Sequence, residues 1–264
     1  MPITNSHYIP GYIWHITHRC QLEEFHLEFD RDKENWIKWL FEAKKRYGLC
    51  VLNYMVTSNH IHLMVWDNGT RETIPKSIQL IAGKVTQENH IREKRKGAFW
   101  EDRYHVTAVA MDDHLYRCMT YIDLNMVRAG VVKHPSEWPF CGYNEIQDPQ
   151  QRYTPIGFKS LMHLLRVSHY EELKELCESR VENAISVMNK LRDGKWTESI
   201  AVGSKNFIET TKYLLGIEEK ERKKINSGKG FEPMEPTESY NTDFTPENDV
   251  SWLDNTYYWK GTGT

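Results

Sequence analysis

The stretch "CVLNYMVTSNHIHLMVW" (Cys50–Trp66) holds two apolar runs separated by Ser58–Asn59, a short polar turn. Runs rich in Val, Ile, Tyr and Trp around such a turn predict a β-hairpin. The second run spends two positions on histidine. A strand repeats every two residues, so His60 and His62 share one face. Two adjacent imidazoles repel if both are charged, and cost desolvation if both are buried without partners. A metal ion resolves both problems, since neutral imidazole is a common ligand. The other reading is a pair of partly exposed surface histidines.

Working outward, "YIPGYIWHITHRC" (8–20) is rich in β-formers and reads as a strand. "DRDKENWIKWLFEAKKRYG" (30–48) reads as a helix. It starts on aspartate, sets Trp36, Ile37, Leu40 and Phe41 at helical spacing, and ends on basic residues and Gly48. "IPKSIQLIAGKVTQENHIREK" (74–94) reads as a second helix starting near Pro75. "YHVTAVAM" (104–111) reads as a fourth strand. The order strand–helix–strand–strand–helix–strand predicts an α+β, ferredoxin-like antiparallel sheet with helices on one face. A further helix, "DDHLYRCMTYIDLNMVRAG", runs from an aspartate cap at 112 or 113 to Gly130. Residues 150–217 read as a helical C-terminal extension. From position 236 the chain has one Lys against five Asp/Glu, so 218–264 reads as an acidic, extended tail.

The 264 residues carry 34 Lys/Arg and 37 Asp/Glu, so net charge does not announce a nucleic-acid partner. A local basic cluster lies in "HIREKRKGAFWEDR" (90–103), with Arg92, Lys94, Arg95, Lys96 and Arg103. Such a cluster is a candidate phosphate contact only beside an active site. The scattered cysteines, Cys20, Cys50, Cys118, Cys141 and Cys177, include no C-x-x-C, which predicts reduced thiols and a cytoplasmic location. No apolar run approaches the ~20 residues that span a bilayer. No basic, then apolar leader stands at the start.

In the helix after the fourth strand, Tyr121 and Asn125 are four apart and share a face, with Arg117 and Arg128 extending that stripe. Leu115, Met119, Ile122 and Met126 form the packing side. Tyr121 reads either as a reactive phenol or as an interfacial tyrosine. On the first strand His15, Thr17 and Arg19 alternate on one face, which reads either as a DNA-facing row or as a polar sheet face. Trp100 and Tyr104 could stack on bases or pack in the core.

Together, His60-Ile61-His62, "YIDLNMVRAGVV" (121–132), "GAFWEDRYHV" (97–106) and "PSEWPFCGY" (135–143) resemble the boxes of the REP-associated tyrosine transposases. These are a branch of the IS200-like single-strand transposases in the HUH superfamily. The resemblance covers residues 8 to 145 well and is weaker over "WTESIAVGSKNFIETTKYLLG" (196–216). It departs at Met126, where the family usually has proline. It implies a catalytic domain over 1–145, with Tyr121 as nucleophile. His60, His62 and Asn125 would be ligands to Mg²⁺ or Mn²⁺. It implies DNA contacts from His15, Arg19, Arg92, Lys94, Arg95, Lys96, Arg103, Arg117 and Arg128. The implied partners are single-stranded DNA hairpins of repetitive palindromes, with a homodimer common in the family. The activity implied is nicking and rejoining through a covalent 5′-phosphotyrosine. The extension is expected to help dock the hairpin or a partner subunit, and the tail to cover that surface. Competing readings are a protein that grips hairpins without cutting, a ferredoxin-like RNA-binding domain, and a phosphoesterase using metal-activated water.

Overall fold

The computed structural model describes residues 8–216 except 69, 95, 102, 150–152 and 188–192; the expected acidic tail lies outside the described residues. The chain forms β1 (Ile13–Arg19), α1 (Asp30–Tyr47), β2 (Cys50–Val56), β3 (His60–Trp66), α2 (Thr73–Glu93), β4 (His105–Val109) and α3 (Asp113–Asp123). It continues with α4 (Asn125–Arg128), α5 (Gly142–Gln147), α6 (Phe158–Leu165), α7 (Tyr170–Ser186), α8 (Lys195–Glu198), β5 (Ala201–Val202) and α9 (Lys205–Leu214). The sheet order is β2-β3-β1-β4-β5. Its first four strands are antiparallel neighbours, the split β-α-β arrangement expected from the element order. The fifth strand pairs parallel with β4, which makes the sheet mixed.

Local chemistry explains the boundaries. Helix α1 carries Asp30 and Asp32 in its first turn, Lys44, Lys45 and Arg46 in its last, and stops at Gly48 with φ 71°. The hairpin turn closes where the Thr57 amide donates to the His60 carbonyl at 3.0 Å. Helices α1 and α2 cover one sheet face, where Ile16, His18 and Ile61 meet Trp36, Ile78, Ile81 and Ala82.

The opposite face is also covered, by α3 and the C-terminal extension. A β-bulge makes this possible. Val51 pairs with Val65 but Asn53 pairs with Met64, so Leu52 is the extra residue. The bulge turns Asn53, fully buried, away from α1 and toward α3. There its amide donates to the Asp123 carboxylate at 2.9 Å and the Met119 carbonyl at 3.5 Å, while its oxygen accepts from the Tyr54 amide at 2.8 Å. Burial lifts the Asp123 carboxyl to about 7, with the Asn53 bond pulling the other way.

Both sheet edges are tied to later chain. On the β2 side Val51 bridges Ile156 and Met55 bridges Cys141. The Gly157 amide also donates to the Val51 carbonyl at 2.8 Å. Beside that edge the Glu145 carboxylate accepts from the Tyr54 hydroxyl at 2.9 Å and the Ile156 amide at 2.8 Å. All five cysteines are buried and free.

Two expectations follow. A Cβ added at Gly142 would meet Asn53 Oδ1 at 2.1 Å. Gly142→Ala is therefore expected to cost about 2–3 kcal/mol, read by urea denaturation, because Asn53 cannot withdraw without breaking its ties. His18 is buried on the α2 face, stacked on Trp100 at 4.5 Å, and burial lowers its pKa to about 4. The folded state thus binds fewer protons than the unfolded state between about 4 and 6.5. Its contribution is fully present above 6.5 and is lost as pH falls toward 4, by up to about 3 kcal/mol. His18→Gln should flatten that part of the stability–pH curve.

Candidate active site

The histidine face of the sheet is built by strand register. Arg19 pairs with His60, Thr17 with His62, and His15 with Met64, so the two rows named in the sequence lie side by side. His60 is half-buried, and its Nδ1 is held by Thr57 Oγ1 at 2.9 Å and Asn59 Oδ1 at 2.8 Å. His62 is 3% exposed. Its ring lies 5.0 Å from that of His60 and nearly perpendicular to it.

Helix α3 brings the phenol. Tyr121 sits with its ring 6.0 Å from His62 and 6.2 Å from His15. The single helix expected over 112–130 is broken at Leu124, whose φ/ψ of −84° and 7° separates α3 from α4. The Arg128 guanidinium donates to the Tyr121 carbonyl at 2.8 Å and also lies over the Tyr121 ring at 4.1 Å. One arginine therefore satisfies a carbonyl at the break and places a fixed charge against the phenol. Asn125 starts the short α4 with its amide nitrogen 3.0 Å from His62 Nε2. Met126, at the family's usual proline position, is buried on the packing side.

Tyr121, His60, His62 and Asn125 thus come together from one strand of the sheet and one interrupted helix. Among the described residues no group of three or more His, Cys, Asp or Glu is arranged to hold a metal ion. The candidate set is instead two imidazoles and an amide. His60 would ligate through Nε2, since Nδ1 is committed to the turn. His62 Nε2 faces the Asn125 amide nitrogen at 3.0 Å, so ligation would use the Asn125 Oδ1 and replace that contact. That donor set suits a divalent cation whose remaining positions are filled by water and phosphate.

The other named residues divide. His15 is only 1% exposed. Its Nδ1 bonds the Trp196 carbonyl at 2.7 Å and its Nε2 bonds His62 Nδ1 at 2.9 Å. It therefore faces the interior of the site, not a solvent-side DNA row, and burial lowers its pKa to about 4. Arg92 is bound to the Asp32 carboxylate of α1 and to Glu93 at 2.8 Å, which makes it a tie between α1 and α2. Lys94, Lys96, Arg103 and Arg117 are exposed, Arg19 is half-buried, and Arg95 lies outside the described residues. Trp100 packs in the core with its Nε1 donating to the Ala82 carbonyl at 3.3 Å.

Sequence reasoning missed Trp196. It is 3% exposed with its ring 6.2 Å from Tyr121. A backbone carbonyl has no residue signature, so only the fold could place it. Asn59 was legible only as a turn residue, and Thr57 only as the end of the strand before it.

Residues 9–125 match the family model described as "Transposase IS200 like". None of the curated proteins compared with the chain matches it. A solved structure of a REP-associated tyrosine transposase bound to a REP hairpin is similar over 55% of this chain and 84% of that one, at 18% identity and a TM-score of 0.45. The matched segment carries Tyr121, both histidines and, at its last position, Asn125; over residues 9–125 the chain is similar to the IS200-like transposases.

Proposed function

We propose that this protein is a transposase that cuts and rejoins single-stranded DNA beside a folded hairpin, with Tyr121 as nucleophile. The observation that carries the reading is the convergence of the Tyr121 phenol with His62 and Asn125. His60, His62 and Asn125 would hold Mg²⁺ or Mn²⁺, which when bound would stabilise charge on the phosphoryl oxygens. The Tyr121 oxygen attacks phosphorus and its proton leaves to solvent. The P–O3′ bond breaks, the 3′-oxygen departs as a hydroxyl, and the 5′-phosphate stays on tyrosine. A second 3′-hydroxyl attacking the same phosphorus returns the phenol and closes the strand, so the exchange needs no nucleotide cofactor. Arg128 fixes the ring during both steps through its contacts to the phenol face and to the Tyr121 carbonyl. A reading as a hairpin-binding protein without cleavage is favoured by one observation, the 7% exposure of Tyr121.

The experiment is incubation of the full chain with short single-stranded palindromic oligonucleotides and Mn²⁺, followed by denaturing electrophoresis. A covalent adduct is expected, absent in Tyr121→Phe and reduced at least ~100-fold in His60→Ala. His60 is the better histidine to remove because His62 is buried and its loss also costs stability. Binding without adduct in the wild type would leave the hairpin-binding reading.

The basic residues should separate by role. Lys94→Gln with Lys96→Gln is expected to lower the salt slope of oligonucleotide affinity by about 1.4, the value for two phosphates on a single strand. Arg92→Gln should leave that slope unchanged. Its effect should be a loss of about 2–3 kcal/mol in denaturation, because it strands the buried Asp32 carboxylate.

A further inference from the structure

The groups proposed to do chemistry all precede residue 130, yet a later segment closes over them. The Trp196 carbonyl reaches His15 across 181 positions of sequence. Its placement is fixed from β4. Thr107 Oγ1 donates to the Ser199 carbonyl at 2.7 Å, and the amides of Ala108 and Ala110 donate to the carbonyls of Ile200 and Val202 at 2.9 and 3.0 Å. A slip of one residue would carry the Trp196 carbonyl away from His15.

That contact has a chemical direction. A carbonyl oxygen only accepts, so His15 Nδ1 carries the hydrogen. The bonded partners of His15 are a carbonyl and another imidazole, and neither balances a charge on a ring 1% exposed. A neutral His15 protonated on Nδ1 has a lone pair on Nε2. The 2.9 Å contact to His62 then needs its hydrogen from His62 Nδ1. His62, neutral in turn, keeps its lone pair on Nε2, and the Asn125 amide donates to it at 3.0 Å. These three contacts are satisfied with donation running Asn125 to His62 to His15 to Trp196. The reverse direction fails at its first link, because the carbonyl has nothing to give.

We infer that His15 is a positioning residue: tied to the Trp196 carbonyl, it holds His62 as the Nδ1–H tautomer and turns the His62 Nε2 lone pair toward Asn125. The inference rests on the proposed role of His62 as a ligand, which requires a lone pair on that nitrogen. It assigns the segment around Trp196, which lies beyond the family match, the task of setting the ligand's proton.

The test uses the full chain labelled with ¹⁵N-histidine and long-range ¹H–¹⁵N spectra recorded in chelator. Wild-type His62 should read as Nδ1–H with bare Nε2. His15→Phe, which keeps a ring but no acceptor, should convert His62 to a population containing the Nε2–H form. His15→Gln should preserve Nδ1–H, since its amide oxygen can accept from His62 and its NH₂ can donate to Trp196. Mn²⁺ titration followed by electron paramagnetic resonance should show binding ~10–100-fold weaker in His15→Phe and within a few-fold of wild type in His15→Gln. An Nε2–H tautomer in the wild type overturns the inference without any variant. So does an unchanged His62 spectrum in folded His15→Phe. If the tautomers behave as stated but no protein binds Mn²⁺, the positioning role stands and the metal reading falls.

Discussion

One buried amide organises the part of the molecule that holds the candidate site. Asn53 is turned to the α3 side by a one-residue bulge and there bonds the end of the helix that carries Tyr121. Without the bulge, strand alternation would direct Asn53 at α1 and put Leu52 opposite Met64, where Asn53 is. The tie fixes how far along the sheet α3 sits, and hence which strand residues the phenol meets. Gly142 completes the arrangement by having no side chain where the Asn53 oxygen lies. A fully buried amide with three partners has little room to shift, and α3 inherits that rigidity.

The break at Leu124 is the second device. In an unbroken helix the Tyr121 carbonyl would be occupied by a backbone amide. Here Arg128 takes it, from a side chain that simultaneously lies over the ring. The local loss of helical geometry is thereby compensated by a charge-assisted bond. It also lets Asn125 address His62 independently of the direction Tyr121 takes.

The sheet and its first two helices were legible because their signals are local. The alternation in Cys50–Trp66, the aspartates opening α1 and Gly48 closing it each depend on a few adjacent residues. That His60 shares a face with His62, and Tyr121 with Asn125, was legible for the same reason, as spacing within a strand and within a helix; that the two pairs belong to one site was implied only by the family resemblance. What did not show was set by long-range geometry. His15 has the alternation of a surface row, but its burial depends on a carbonyl 181 positions away. Arg92 belongs to a basic cluster in sequence, yet in space it belongs to Asp32 of another helix. The parallel β5 spans two residues, too short for periodicity to register, and is defined by its bonds to β4. The break at Leu124 has no proline or glycine to mark it.

The way the sheet is bordered bears on which strand edges another strand could reach. An unpaired strand edge is a template for any other strand, and long open edges lead to aggregation. Here β4 is bordered by a two-residue strand, too short to propagate, and β2 by the backbone around Cys141 and Ile156. Both borders come from chain beyond residue 125, where the family match ends. A fragment cut to the matched segment would expose β2 and β4 along their lengths and would tend to precipitate. Among the described residues, neither β2 nor β4 is left open along its length for a strand of a second copy to pair with.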